Sequence, residues 1–359
     1  MSGASSYEHY DPSDLPPFEE IQHMVGVEFD VEEAFVDHGV PTFNVRLLED
    51  SKKAFLKLMK RLEPLELLPI LRRKDEKVVL QITAKPPVKP SRKIINIALF
   101  FATLGTVFIS GYLLANAVIG ALMFTVAIMV ILGSHEMGHK LLADKHDVEA
   151  TYPYFIPGIP PLGTFGALIR QKTLPPNRDS LFDIGFTGPL MSFLLSIPFL
   201  AIGLVFSSYD WVPKGEPSLP PSLLMILIQL VGFQPLGEIP PAPSGSIEYV
   251  SIIRLHPLAF AGWIGILVTI LNLVPSGMFD GGHVARSAVG ERLHKILSYV
   301  GVIALAYISL PMAFLALFFA MAKHPGPLDD VSKLTTLRKV GAIGLVAIFI
   351  LAFPFGPLF

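Results

Sequence analysis

The residues whose types and spacing could do chemistry are His135, Glu136 and His139, near the C-terminal end of an apolar segment, residues 116–146. On an α-helix, positions four apart lie one above the other on the same face, so His135 and His139 can point two imidazoles at one ion. Glu136 stands beside them, free to act as a base. Two histidines that ligate Zn²⁺ and a neighbouring glutamate that takes a proton from water form the signature of zinc hydrolases. Ionisable groups are costly inside a bilayer, so their presence there implies a task.

Composition bounds the setting. At 359 residues, 52% hydrophobic and with a mean hydropathy of +0.56, the chain is too apolar for a soluble globule and contains several runs long enough to cross a bilayer. A net charge of -2 without any long basic block argues against nucleic acid as a partner. The absence of cysteine excludes disulfides, iron–sulfur ligation, thiolate zinc sites and a cysteine nucleophile. A metal must therefore be held by His, Asp, Glu and water. Residues 1–14 show neither a cationic start nor an apolar stretch of signal-peptide length, so the first true span is expected to act as its own insertion signal.

Residues 1–90 carry 28 of the 58 Asp, Glu, Lys and Arg residues, which marks a soluble domain ahead of a membrane domain. After a disordered-looking start, amphipathic stretches cover residues 17–23 and 31–37. The run 41–48 alternates like a strand, Ser51 could cap a helix through about Leu62, and 68–72 with 78–83 read as a hairpin. A small α+β domain follows, either a solubilising module or one for regulation or substrate docking. The basic, proline-rich linker 85–93 precedes the first apolar run, 94–115, and by the positive-inside rule keeps this domain cytoplasmic. The first span then runs outward and the His135 span returns inward.

Further spans are expected at 181–206, at 257–280, within 293–321 as one kinked span or two short ones, and at 340–359. Residues 207–255 should lie outside, with an interfacial or re-entrant helix at 222–233. Asp183 is either a buried hydrogen-bonding partner or a charge at a helix N-terminus. The connector 147–180 includes a proline-broken loop, 152–170, that is too apolar to leave in water. It is expected to line a catalytic cleft and offer a strand edge to an extended substrate, or else to be an ordinary loop packed on the bundle. In the later span, Pro275 and Gly277 break the helix just before Asp280. As the spans run, Asp280 ends at the depth of His135, where a two-histidine site lacks a third ligand; otherwise it caps a turn. Asn272 could hydrogen-bond substrate or a developing oxyanion, or bridge two helices. His283 could orient Asp280, or be a solvated interface histidine. His146, His256, His294 and His324 lie at segment ends, where interfacial roles suffice.

With H-E-x-x-H on one span, and Asn272, Pro275, Asp280 and Gly281 spaced as N-x-x-P-x-x-x-x-D-G on a later one, the chain resembles the site-2 protease family of intramembrane zinc metalloproteases, peptidase family M50. The resemblance covers roughly residues 94–290. It implies a three-span catalytic core, regulated cleavage of single-span membrane proteins, and one Zn²⁺ per chain held by His135, His139 and Asp280, with Glu136 as base. Gly188 and Pro189 look like a family feature. Gly163, Phe165 and Gly166 resemble a glycine-flanked hairpin loop that some members present to substrate. Phe279 departs from a position that is often aliphatic, and no inserted PDZ-like domain is visible.

The fold class expected is an all-α polytopic membrane protein with six or seven transmembrane helices and a small N-terminal α+β soluble domain. Its parts are 1–90 (cytoplasmic domain), 91–290 (protease core) and 291–359 (C-terminal helices). The function expected is intramembrane zinc metalloproteolysis by a multi-pass plasma-membrane protein whose partners are the lipid bilayer and a single-span substrate. A metal transporter would require ionisable groups along a path. A non-catalytic scaffold would not need all four active-site positions.

Overall fold

Two regions of contrasting chemistry follow one another in the computed structural model, which describes residues 16–47, 49–88, 90–216, 219–244, 248–322 and 324–354. The expected disordered start, apart from its last residues, and the last five residues of the expected final span lie outside the described residues.

The N-terminal region is the α+β unit foreseen. Helix α1 (Phe18–Glu28) leads into strands β1 (Asp30–Asp37) and β2 (Val40–Arg46), helix α2 (Ser51–Leu62), a 3-10 turn, and the hairpin β3 (Leu67–Lys74) and β4 (Lys77–Ala84). The four strands form one antiparallel sheet in the order β1-β2-β4-β3. Ile21 and Val25 share one face of α1, and Phe55, Leu58 and Leu62 share one face of α2. Both faces are buried against Phe43, Leu71, Leu80 and Ile82 of the sheet. Leu328, from far along the chain, completes this core.

Three helices among the described residues are long and apolar enough to cross a membrane: α3 (Lys93–Ala115), α4 (Val118–Lys145) and α5 (Arg178–Val205). Six or seven were expected. Helix α7 (Pro257–Leu273) has 17 residues, about 25 Å at 1.5 Å per residue, short of a hydrocarbon core of about 30 Å. The run 293–321 divides at Ser309, whose extended backbone separates α8 (Asp280–Ile308) from α9 (Leu310–Met321). Helix α10 (Thr336–Ala352) again has 17 residues.

Small residues let these helices approach closely. A Cβ at Gly203 would fall 2.1 Å from the Ala259 nitrogen, and one at Gly265 would fall 2.0 Å from Ser196 Oγ, so α7 lies directly against α5. Asn96 and Thr106 of α3 donate to the carbonyls of Tyr152 and Gly163, at 2.8 and 2.7 Å. These bonds seat the hairpin β5 (Tyr154–Pro157) and β6 (Thr164–Leu168), so the 152–170 loop is an ordered two-stranded sheet. Residues 207–255 hold a second hairpin, β7 (Ser208–Pro213) with β8 (Tyr249–Arg254), which periodicity did not reveal. The short helix α6 (Leu223–Leu230) is capped by Ser222 Oγ, which accepts from the Met225 amide.

The two regions are clasped by the loop between α9 and α10. The Leu71 amide donates to Leu328 O at 3.0 Å, and the Arg72 guanidinium donates to the same carbonyl. Lys52 of α2 pairs with Asp179 of α5 at 2.7 Å. Asp183 proves to be a half-buried hydrogen-bonding partner: Arg338 spans its two oxygens at 2.7 and 2.5 Å, and His146 meets the second at 2.8 Å. Behind them, Asp330 accepts from Arg286, which is 1% exposed, at 2.9 Å and from Arg178 at 3.1 Å. Removing the carboxylate leaves two cations in a site of low polarity. Asp330→Ala is expected to destabilise the fold by about 3 kcal/mol, seen as a lowered thermal midpoint in detergent, and adding Arg286→Met should recover part of that loss.

Candidate active site

Helix α4 delivers His135 and His139 one turn apart, with their rings 4.8 Å between centroids. Both are buried. Their orientation comes from α5. His139 Nδ1 donates to the Ile184 carbonyl at 2.7 Å, and a carbonyl can only accept, so the proton sits on Nδ1 and the lone pair on Nε2. His135 Nδ1 meets Ser192 Oγ at 3.1 Å. The Ser192 hydroxyl can give its proton back to the Pro189 carbonyl at 3.1 Å, which leaves its oxygen to accept from His135. Both imidazoles therefore turn Nε2 toward the same point.

The third group comes from the break that Pro275 and Gly277 impose after α7. The chain turns through residues 274–279, with Gly277 at φ +50 and its amide tied to Ser298 Oγ at 3.1 Å, and re-enters helix at Asp280. A Cβ at Gly281 would lie 2.1 Å from the Leu273 carbonyl, so only glycine lets α8 start this close to the end of α7. Asp280 Oδ2 then stands 3.1 Å from His135 Nε2 and 3.2 Å from His139 Nε2. One ligand atom from each residue lies within 4.8 Å of the others.

Two imidazole lone pairs crowded against a carboxylate oxygen repel one another unless a cation lies among them. The set of two nitrogens and one oxygen suits Zn²⁺, with a fourth position left for water or substrate. By this test His135, His139 and Asp280 fit a zinc ion, and Ser192 and Ile184 act behind the ligands by fixing their tautomers. Gly188 has a physical role as well: a Cβ there would fall 2.1 Å from His139 Nε2.

Glu136 is buried and lines a cavity of about 210 Å³ with His135, His139, Asp280, Asn272 and the end of β6, residues Ala167 and Leu168. Ile169 lines the same cavity. Asn272 lies in the same cavity, with Nδ2 3.4 Å from His135 Nε2. The other expected residues are placed differently from one another. Gly163 (φ +76) packs onto α3, where a Cβ would meet the Thr106 carbonyl at 2.6 Å. Phe165 is 70% exposed, and a Cβ at Gly166 would meet open space. His283 lines the cavity, but its Nδ1 faces His324 Nε2 at 2.8 Å rather than Asp280. Phe279 stacks edge-on against Phe319 of α9, which explains an aromatic at that position.

A larger cavity, about 440 Å³, adjoins this one and shares Gln171, Met278 and His283 with it. Its walls include Met59, Lys60 and Glu63 of the N-terminal unit. The roles of Ser192 and Ile184 behind the histidines, and of His324 beside His283 rather than at an interface, were not found from sequence. A serine in an apolar helix, a backbone carbonyl and a histidine 41 residues from its partner carry no local signal.

Gly188→Ala is expected to displace His139 and cut bound zinc to below about one tenth of the wild-type content while circular dichroism stays unchanged. Metal analysis of the purified protein decides this, and full zinc occupancy would contradict the placement.

The model of peptidase family M50 matches residues 123–316, more than half of the chain. A rice (Oryza sativa subsp. japonica) protein described as probable zinc metalloprotease EGY1, chloroplastic, is 30% identical over 256 residues, covering 68% of this chain and 42% of that protein. The Arabidopsis thaliana protein of the same description is 31% identical over 245 residues, 66% of this chain and 41% of the relative. Probable zinc metalloprotease EGY2, chloroplastic, from Oryza sativa subsp. indica is 26% identical over 276 residues, 73% and 48% of the two chains. The chain thus spans less than half the length of these relatives. No solved structure matches it. The family match takes in both helices that bring ligands to the cluster, and on that ground the chain belongs to peptidase family M50, the site-2 protease family.

Proposed function

We propose that this chain is an intramembrane zinc metalloprotease that hydrolyses peptide bonds in or near the transmembrane segments of single-span membrane proteins. One observation carries the reading: His135, His139 and Asp280 converge on one point, with Glu136 in the same cavity, on a helix of membrane-spanning length. A Zn²⁺ ion held by the three ligands supplies Lewis acidity and lowers the pKa of water.

The chain's own residues do the rest. Glu136, buried in the cavity beside the cluster, accepts the proton of the attacking water and passes it to the departing amine. Asn272 offers an amide to the substrate backbone. A transmembrane helix has its amides already bonded, so a substrate must unwind before a carbonyl can reach the centre. The β6 strand, whose end lines the cavity, supplies an edge for the unwound segment, and exposed Phe165 beside it gives an apolar contact.

The membrane domain is read as six spans or more, with α7, α9 and α10 completing the bundle that α3, α4 and α5 begin. The N-terminal domain and the basic residues Lys140, Lys145, Arg178 and Arg338 lie at one end of it, which supports a cytoplasmic location for that domain. The plasma membrane is retained as its membrane; the chloroplast named for the relatives belongs to those proteins. A transporter would need further ligand groups along a path, and among the described residues a single cluster can hold a metal.

The test is cleavage of a tagged single-span substrate panel by purified protein in liposomes. Glu136→Gln is expected to lower turnover at least about 100-fold while keeping zinc, and a chelator should abolish it. Undiminished cleavage by Glu136→Gln would sink the proposal.

A further inference from the structure

His283 and His324 form a pair that neither the zinc ligands nor Glu136 require. His283 belongs to the first turn of α8, one turn beyond Asp280, and His324 to the loop after α9. Their rings stand edge to face with centroids 4.9 Å apart, and His283 Nδ1 meets His324 Nε2 at 2.8 Å. Two imidazoles bond in this way only if one nitrogen donates and the other accepts. The direction follows from a third group: the Gly326 amide donates to His324 Nδ1 at 2.9 Å. A backbone N–H cannot accept, so His324 Nδ1 carries a lone pair and its proton is on Nε2. That proton goes to His283 Nδ1. His283 Nδ1 is thus a lone pair, and its own proton resides on Nε2.

This is the opposite tautomer to that of His139, whose Nδ1 gives its proton to a carbonyl. His324 is not among the residues lining the small cavity, whereas His283 is. His324 lines only the larger cavity, and the two nitrogens of an imidazole lie on opposite edges of the ring, so with Nδ1 turned to His324 the Nε2–H edge is left for the small cavity. A protonated nitrogen cannot ligate a cation, but it can donate a hydrogen bond.

We infer that His283 is a hydrogen-bond donor to the substrate carbonyl oxygen in the active-site cavity, and that His324 is the positioning residue that fixes its tautomer. The inference rests on the protease reading above. As water adds to the scissile carbonyl, the C=O π pair moves onto oxygen and Glu136 takes the water's proton. His283 Nε2–H then stabilises the growing negative charge without giving up its proton. The loop that carries His324 and Gly326 also clasps the N-terminal unit through Leu328, so the donor is held in place by the contact between the two halves of the molecule.

Two measurements test this on the full, zinc-loaded chain. The first is the ¹⁵N-histidine NMR spectrum, with His283 and His324 assigned by loss of signal in His283→Gln and His324→Gln. Both residues should show the Nε2–H tautomer, and His324→Leu should release His283 from that single state. The second is cleavage of a tagged single-span substrate whose helix carries a Pro-Gly break. His283→Leu should lower kcat about 100-fold, with KM within about threefold and zinc retained. His283→Gln, whose amide can replace the Nε2–H, should recover most of the rate. His324→Leu should cost about tenfold in kcat, and His324→Gln should restore it. An Nδ1–H tautomer at His283, loss of zinc from His283→Leu, or kcat of His283→Leu within threefold of wild type would overturn the inference. If the wild type cleaves nothing, the protease reading and the catalytic role fall together, while the spectra still decide the tautomer relay.

Discussion

Three electron-rich atoms held within 4.8 Å of one another inside an apolar helix bundle are the constraint on which the rest of the molecule depends. Two imidazole nitrogens whose protons are turned away, set against a carboxylate oxygen, suit a cation among them. Each ligand is therefore fixed from behind: His135 by Ser192, His139 by the Ile184 carbonyl, and Asp280 by its position at the start of a helix. Lone pairs that are aimed before metal arrives cost nothing to reorient when it does.

That aim depends on how close the helices can come. Helix α5 passes both motif-bearing segments, and it does so over glycine at the points of contact. At Gly188 the His139 ring fills the space of a side chain, and at Gly185 the start of α8 does, with the Asp280 carbonyl 2.9 Å from where a Cβ would be. Gly203 lets α7 lie on the far half of the same helix. In a bilayer, where apolar surface gains little from associating, close approach and interhelical hydrogen bonds hold a bundle together. The Ser192–Thr269 contact at 3.0 Å, between α5 and α7, is of that kind.

What could be read from the chain follows the same division. The positions of His135, Glu136 and His139 are legible because i, i+4 spacing within one helix fixes their relation, and Asp280 is legible because an unmatched histidine pair calls for a carboxylate. The helix at 51–62 and the hairpin closing at Asp75 and Glu76 are legible because capping and alternation are local. The break at Pro275 is legible from the proline itself, whereas 293–321 could be read either as one kinked span or as two short ones, because the run is continuous in composition and the extended backbone of Ser309 that divides it carries no sequence mark. The β7–β8 hairpin escaped notice because its strands are far apart in sequence, with α6 between them. Ser192, Ile184 and His324 acquire their roles only when α4, α5 and α8 are in place. Gly163 shows the limit of a loop pattern, since its lack of a side chain serves a contact with α3 rather than the open face of the hairpin.

The N-terminal unit is joined to the centre by more than the linker. Its sheet edge bonds to Leu328, Leu328 fills its core, and two residues on, Asp330 binds Arg286 of α8, the helix that begins with Asp280. A displacement of this unit therefore pulls on both the loop that holds His324 and the helix that carries the third ligand. The larger cavity lies between the same parts and meets the smaller one at Gln171, Met278 and His283. An unwound polypeptide running from the N-terminal unit to the cluster would follow this line, and its length through the cleft would be spent in an extended form suited to pairing with β6. An α+β unit docked in this way is part of the site's framework, because the contacts that seat it also orient the groups around the candidate ligands.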